Sequence, residues 1–192
     1  MKKTIKDKLD FIHQFANSPK SIGSITPSSK HLCKRMLSYI NFKKPNLNII
    51  EYGPGVGPFT NHIVDKLKEG DNLILVEQNE EFVNILRNKF GNYKGVSIYH
   101  DSALNIMDIL QKQNILQVDY IVSGIPFSSI PKKITEGILD KTRDIMGETT
   151  LFIIFQYSLF KLKTLRNHFN VLDKSFVLRN FPSAYVLCMQ KN

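Results

Sequence analysis

Short apolar runs alternate along most of the chain with segments whose apolar residues recur every three or four positions. Runs flanked by Gly, Pro or Asn predict strands, and the longer period predicts amphipathic helices. The predicted strands are, in order, 47–52, 72–77, 96–100, 118–123, 149–156, 171–178 and 184–189. The predicted helices between them are 59–68, 80–90, 104–113, 132–143 and 159–168. This alternation is typical of an α/β domain with helices on both faces of a mostly parallel sheet.

The last two predicted strands follow each other without a helix and are joined through Arg179-Asn180-Phe181-Pro182. Strands joined so directly pair antiparallel. We therefore expect a seven-stranded, Rossmann-like sheet that ends in an antiparallel C-terminal hairpin.

Residues 1–45 precede this alternation, and we expect them to form an amphipathic and a capping helix ahead of a catalytic α/β domain at 46–192. Apolar residues at helical spacing with lysines between them predict a basic amphipathic helix over 1–17. Such a helix can lie in the interface of an anionic membrane or pack against the sheet. The side chains predicted to meet a membrane are Lys2, Lys3, Lys6, Phe11 and Phe15.

The charge of the chain changes this picture because it is concentrated at the two ends. The formal net charge is +9, of which residues 1–20 contribute +3 and residues 158–192 contribute +5. Basic ends favour a polyanionic partner, either an anionic membrane or nucleic acid, although lysines also serve plain solubility. No apolar run approaches the roughly 20 residues that span a bilayer, and the two cysteines lack metal-type spacing. We expect a cytoplasmic protein at the inner face of the membrane, without a metal, whose oligomeric state is open with a monomer favoured.

The first candidate for a ligand-binding site is the loop that follows the first predicted strand, Gly53-Pro54-Gly55-Val56-Gly57. Glycines permit a tight turn and let the backbone approach a ligand, but nicotinamide and flavin sites use the same pattern. Glu77 ends the second strand, where a carboxylate can accept hydrogen bonds from ribose hydroxyls. Asp101 follows the third strand and Ser123 ends the fourth, so all four segments meet at one edge of the sheet.

Together these segments predict an S-adenosylmethionine (SAM) site of the class I methyltransferase type, with S-adenosylhomocysteine as product. The predicted cofactor-binding residues are Glu51, Gly53, Gly55, Gly57, Thr60, Glu77, Gln78, Asp101, Ser102, Ala103 and Ser123. Ser123 and Tyr157, just past the fifth strand, are the candidate catalytic residues, expected to orient an acceptor amine.

Several longer strings resemble the bacterial phospholipid N-methyltransferases, which convert phosphatidylethanolamine to phosphatidylcholine. They are residues 18–29 with Thr26-Pro27-Ser28-Ser29, residues 51–60, Ser123-Gly124-Ile125-Pro126-Phe127 and residues 179–184. The resemblance implies SAM as cofactor, a membrane lipid amine as acceptor and an N-terminal helix on anionic membrane. Ser28, Pro126, Phe127 and Arg179 are then candidate substrate or membrane contacts.

The main alternative is adenine N6-methylation of ribosomal RNA, because the rRNA dimethylases share the glycine loop and a related fourth-strand motif. That motif has Asn before Leu/Ile-Pro-Tyr/Phe, and its aromatic residue stacks on the base. Here Pro126-Phe127 keeps the aromatic residue, but Ser123-Gly124 replaces the Asn environment. The sequence also shows no C-terminal helical RNA domain after the last strand. RNA therefore stays as the second expected partner, and a small-molecule acceptor or a catalytically silent SAM-binding module stays open.

Overall fold

The computed structural model describes residues 29–192. The predicted helix over 1–17, with Lys2, Lys3, Lys6, Phe11, Phe15 and Ser28, lies outside the described residues. The strands are β1 (Asn48–Tyr52), β2 (Asn72–Glu77), β3 (Val96–His100), β4 (Val118–Ser123), β5 (Met146–Gln156), β6 (Phe169–Val177) and β7 (Ala184–Lys191). The helices are α1 (Lys30–Leu37), α2 (Pro58–Val64), α3 (Glu80–Phe90), α4 (Ile106–Lys112), α5 (Lys132–Ile145) and α6 (Leu162–His168).

The strands form one sheet in the order β3-β2-β1-β4-β5-β7-β6. β1 to β5 pair in parallel, whereas β7 runs antiparallel to both of its neighbours, β5 and β6. The predicted seven-stranded, mostly parallel sheet with a C-terminal antiparallel hairpin is therefore confirmed.

Each central strand is buried on both faces, because helices cover the sheet from both sides. Ile49 of β1 lies in a cluster with residues of α1, α2 and α3, whereas Ile50 lies in a second cluster with residues of α4, α5 and α6. Consecutive strand residues point to opposite faces, so two adjacent isoleucines contribute to both clusters. α1 belongs to the first cluster through Leu32 and Met36, which are fully buried.

Some element boundaries differ from the predicted ones for local reasons. The predicted helix 59–68 ends at Val64, because the buried carboxylate of Asp71 accepts from the backbone N–H of Lys68 (2.8 Å) and holds the chain in a turn. β5 begins three residues before its predicted start, with a register shift against β4. There the Thr150 hydroxyl donates to the Val118 carbonyl (2.6 Å) and accepts from the N–H of Gly147 (2.9 Å).

Candidate active site

The loop after β1 turns sharply through three glycines with positive φ. Gly53, Gly55 and Gly57 have φ of 60°, 58° and 86°, in the left-handed region that favours glycine. Gly57 precedes α2, whose first residue is Pro58. A Cβ at Gly55 would meet no atom within 4 Å, so this part of the loop faces open space.

The loops after β1 and β4 touch each other directly. The N–H of Gly124 donates to the Tyr52 carbonyl (2.8 Å), and a Cβ at Gly124 would lie 2.6 Å from the Gly53 carbonyl oxygen. In the strand order, β2 and β3 lie on one side of β1, and β4 and β5 lie on its other side. The contact therefore marks the switch point of the sheet, where α/β proteins of this type bind ligands.

A cavity of about 550 Å³ opens at this switch point. Seven of the predicted cofactor-binding residues line it, namely Gly53, Gly55, Glu77, Gln78, Asp101, Ser102 and Ala103. The lining also includes Gly124, Ile125 and Pro126 from the loop after β4. Lining residues that the sequence analysis did not single out are Val76, Asn79, Glu80, Phe82, Ile130, Ile134 and Ile138. The cavity combines carboxylates from β2 and the loop after β3 with an apolar wall from the start of α5.

The Glu77 carboxylate connects the glycine loop to the start of α3. Its Oε2 accepts from the backbone N–H of Gly55 (3.0 Å), and its Oε1 accepts from that of Asn79 (2.9 Å). The Asn79 side chain in turn caps α3 by accepting from the N–H of Phe82 (3.1 Å). One buried carboxylate thus holds two walls of the cavity in place.

Asp101 shapes the third wall of the cavity. Its Oδ1 accepts from the N–H of Ser102 (2.7 Å) and from the Asn105 amide (2.6 Å). The Ser102 hydroxyl accepts from the N–H of Leu104 (3.2 Å) and caps a short 3₁₀ turn at Ala103–Asn105. The turn presents the small side chain of Ala103 beside the carboxylate, which leaves space for a flat ring.

The loop after β4 is held at the backbone of Ile125 from two directions. The Ser123 hydroxyl accepts from the N–H of Ile125 (3.2 Å), and the Gln156 amide donates to its carbonyl (3.1 Å). Both side chains are buried. Ser123 was expected to contact cofactor and acceptor; its side chain is buried and its hydroxyl is engaged with Ile125, and those contacts stay a prediction. Gln156 was missed, and a polar residue at the end of an apolar strand was the available signal.

Glu51 lies below the glycine loop rather than at the cavity. It is fully buried, and its Oε2 accepts from the hydroxyl of Thr60 (2.8 Å), which ties β1 to α2. Its Oε1 has no hydrogen-bond partner among residues 29–192. Burial raises the pKa of Glu51 to about 8, against the opposing effect of the Thr60 hydrogen bond. The carboxyl is therefore mostly protonated at neutral pH, and contact of Glu51, Thr60 or Gly57 with a cofactor stays a prediction.

Three predicted acceptor-side residues do not line the cavity. Phe127 was expected at the acceptor, but its ring is completely buried in the core cluster that includes Ile138 and Leu139 of α5, and its carbonyl accepts from the Thr135 hydroxyl (3.5 Å). Tyr157 is 45% exposed just past β5, where its ring packs edge-on against Phe155 at 5.5 Å between centroids. Arg179 is exposed on the β6–β7 turn. A catalytic role for Tyr157 and a substrate role for Arg179 stay predictions.

Groups of three or more His, Cys, Asp or Glu residues that could hold a metal are not found within residues 29–192. In the same range no helix is long and apolar enough to cross a bilayer. Cys33 and Cys188 are buried, and desolvation raises the pKa of each thiol to about 11.

Comparison with known proteins identifies the family. The family model described as ribosomal RNA adenine dimethylase matches residues 8–176. An ornithine lipid N-methyltransferase of Singulisphaera acidiphila is 26% identical over 94% of this chain and 94% of its own length. The ribosomal RNA small subunit methyltransferase A of Mycoplasma capricolum is 33% identical over 126 residues, which are 66% of this chain but 44% of that protein.

Solved structures show the same fold at low sequence identity. N-methyltransferase NodS from Bradyrhizobium japonicum, in complex with S-adenosyl-L-homocysteine, matches with a TM-score of 0.67 at 10% identity. That match covers 96% of this chain and 97% of NodS. A precorrin-6y C5,15-methyltransferase from Geobacter metallireducens matches with a TM-score of 0.68 at 12% identity, over 88% of this chain and 91% of that one. The chain belongs to the ribosomal RNA adenine dimethylase family and is a SAM-dependent methyltransferase, as predicted.

Proposed function

We propose that this member of the rRNA adenine dimethylase family methylates the amine nitrogen of a membrane lipid, with phosphatidylethanolamine converted towards phosphatidylcholine as the reaction. The observation that carries the proposal is the alignment with an ornithine lipid N-methyltransferase, which spans 94% of both chains. The rRNA methyltransferase of Mycoplasma capricolum aligns over only 44% of its own length. Phosphatidylethanolamine and ornithine lipid are the two candidate acceptors, and both belong to the class of lipids with a primary amine.

The loop after β4 supports a lipid amine over an adenine base. Holding a flipped base needs an exposed aromatic face and polar groups aimed at its exocyclic amine. In this structure the Phe127 ring is in the core and the Ser123 hydroxyl is engaged with Ile125. The exposed part of the rim, at Ile130, Ile134 and Pro126, is apolar and better suited to a lipid.

The residues that line the cavity fit SAM. Gly55 opens towards the cavity, the Glu77 carboxylate suits ribose hydroxyls, and Asp101 beside the small Ala103 suits the amino group and ring of adenine. When bound, SAM supplies a methyl group on a positively charged sulfur. The protein must hold the acceptor nitrogen in line with that methyl group, with its lone pair free.

The chain contributes to this step mainly through position. Ser123 and Gln156 fix Ile125, so the neighbouring Gly124 and Pro126 form a rigid rim beside which the amine can be oriented. A lipid amine is largely protonated at neutral pH, and it needs to lose a proton before it attacks. An apolar rim favours the neutral amine, because desolvation lowers the pKa of an amine.

RNA methylation is the second candidate, and membership of the rRNA adenine dimethylase family favours it. The excess positive charge of the chain would suit RNA as well as an anionic membrane. We propose that the protein works at the cytoplasmic face of the membrane, peripherally and as a monomer.

A side-by-side assay with radiolabelled SAM tests this function. Three acceptors are offered: phosphatidylethanolamine in vesicles with anionic lipid, ornithine lipid in the same vesicles, and small-subunit rRNA. We expect label in the lipid fraction and stimulation by anionic lipid. Incorporation into rRNA with none into either lipid would reverse the proposal, and labelling of ornithine lipid alone would replace phosphatidylethanolamine as the acceptor.

A further inference from the structure

Two exposed apolar segments lie side by side at the carboxyl edge of the sheet. The first is residues 157–163, which follow β5, and the second is the β6–β7 turn at residues 178–183. β5 and β7 pair antiparallel with Gln156 opposite Tyr185, so the end of β5 adjoins the start of β7. Neighbouring strands are about 5 Å apart. The two segments therefore leave the sheet at adjacent strand ends, and we name them together the edge patch, defined by Tyr157, Phe160, Lys161, Leu178, Arg179 and Phe181.

The apolar side chains of the edge patch are unusually exposed. Phe160 is 81% exposed, Leu178 75% and Phe181 79%. Single exposed apolar residues are normal on a protein surface, but a cluster marks an interaction site. Exposing such a cluster to water is unfavourable, and covering its apolar surface with a partner is favourable.

The turn that carries two of these side chains is firmly held. Asn180, which lies between them, is 8% exposed. Its amide donates to the Pro182 carbonyl (2.6 Å), and its Oδ1 accepts from the backbone N–H of Ser29 (2.9 Å) at the start of α1. Leu178 and Phe181 therefore project from a fixed support, so contact with a partner does not need to order the turn first.

The charges in the two segments that carry the edge patch are all positive. Residues 157–163 and 178–183 contain Lys161, Lys163 and Arg179 and no Asp or Glu. The Lys161 ammonium lies 5.9 Å from the centre of the Phe160 ring, so cation and aromatic ring occur together. Exposed aromatic and aliphatic side chains flanked by cations match the interface of an anionic bilayer.

We propose that the edge patch inserts Phe160, Leu178 and Phe181 into the interface of an anionic lipid bilayer. The inference rests on the proposed lipid acceptor and adds the surface by which the enzyme meets it. The cavity and the edge patch lie at the same edge of the sheet, and Gln156 bonds the cavity rim one residue before the patch begins. Docking through the patch would thus place the cavity opening at the level of the lipid headgroups.

A fluorescence experiment tests insertion directly, because the chain contains no tryptophan. Phe181→Trp places a single reporter in the patch, and Leu116→Trp places one at a fully exposed position two residues before β4, on the opposite edge of the sheet. With vesicles of phosphatidylcholine and phosphatidylglycerol, we expect the Phe181→Trp emission to shift to the blue and to be quenched by brominated acyl chains. The Leu116→Trp emission should change in neither respect. Equal behaviour of the two reporters would overturn the proposal.

A binding experiment measures how much the patch contributes. Leu178→Ser with Phe181→Ser in the full chain should weaken sedimentation with anionic vesicles by about tenfold or more, given the apolar area removed. Lys161→Gln with Lys163→Gln should weaken it mainly at low salt. The matched control is Leu116→Ser with Lys112→Gln, which should bind as the unmodified chain does. SAM affinity, measured by calorimetry, should be equal in all variants and verifies folding.

The outcomes separate this proposal from the proposed function. Unchanged vesicle binding by the Leu178→Ser, Phe181→Ser variant refutes the edge patch, even if lipid methylation is observed. Weaker binding to an rRNA fragment, with vesicle binding unaffected, would make the patch an RNA surface. Loss of vesicle binding in the variant, together with no methylation of lipid amines in detergent micelles by the unmodified chain, would support the patch and refute the function.

Discussion

Replacing Glu77 with glutamine tests whether one carboxylate both builds the cavity and binds the cofactor. Both oxygens of Glu77 accept backbone N–H groups, from Gly55 and from Asn79, and the side chain is buried. A glutamine keeps the shape but offers one oxygen and one NH₂ group. Whichever way the amide is oriented, an N–H donor then faces another donor.

The cost follows from the hydrogen bonds that are lost. A hydrogen bond to a charged group contributes about 1.5–3 kcal/mol, and leaving its partner unsatisfied and buried costs a similar amount. Without cofactor, a loss of this size should lower the Tm by roughly 3–12 °C for a chain of this length. If the glycine loop must be re-formed on binding, the same loss weakens SAM binding by about ten- to a hundredfold.

Calorimetry of SAM binding and measurement of thermal unfolding together test both roles of Glu77. Glu80→Gln is the matched control, because it removes the same charge from an exposed residue that also lines the cavity. It should change stability by less than about 0.5 kcal/mol. A Glu77→Gln variant with a lower Tm and unchanged SAM affinity would refute the cofactor role, and one unchanged in both would refute the whole argument.

Three further substitutions test other parts of the site. Gly124→Ala should lower Tm and SAM affinity, since its Cβ would lie 2.6 Å from a backbone oxygen of the glycine loop, whereas Gly147→Ala, whose Cβ would meet only an atom at 3.7 Å, should not. Gln156→Leu should lower kcat more than it changes SAM affinity, because the Ile125 carbonyl loses its donor at the acceptor side; an equal loss in both would argue against a positioning role. Because burial raises the pKa of Glu51 from 4.5 to about 8 on folding, unfolding between these pH values releases a proton and the unmodified protein loses stability as pH rises. In chemical denaturation at pH 5 to 8, Glu51→Gln should remove most of that decline, and an unaltered pH profile would contradict the raised pKa.

Periodicity predicted the sheet well because each strand is long enough to show which faces are buried. β1 and β2 are buried at every position after the first, as strands covered on both faces must be, and each contains a run of apolar residues. Helix ends were predicted less well, because side chains outside the helix determine them. Asp71, just before β2, accepts from the Lys68 N–H and holds the chain in a turn after α2, which ends seven residues earlier at Val64.

That the predicted cofactor-binding residues would line one cavity was predictable because they lie at strand ends. Glu77 ends β2, and Gly53 and Asp101 directly follow β1 and β3, so the topology alone brings them together. The acceptor side was not predictable from spacing. Whether Phe127 faces the cavity or the core depends on the path of a loop, and here its ring lies in the core cluster with residues of α5.

The end of β5 connects the two halves of the proposed mechanism. Gln156, the last residue of β5, donates to the Ile125 carbonyl at the cavity rim. The next residue, Tyr157, packs on Phe155 and begins the edge patch. Because Gln156 and Tyr157 are adjacent in the backbone, binding of the patch to a membrane would also affect the rim that positions the acceptor. The surface that recruits the enzyme to the membrane would thus also present the lipid amine at the site. An acceptor that diffuses freely in solution would not require such a surface.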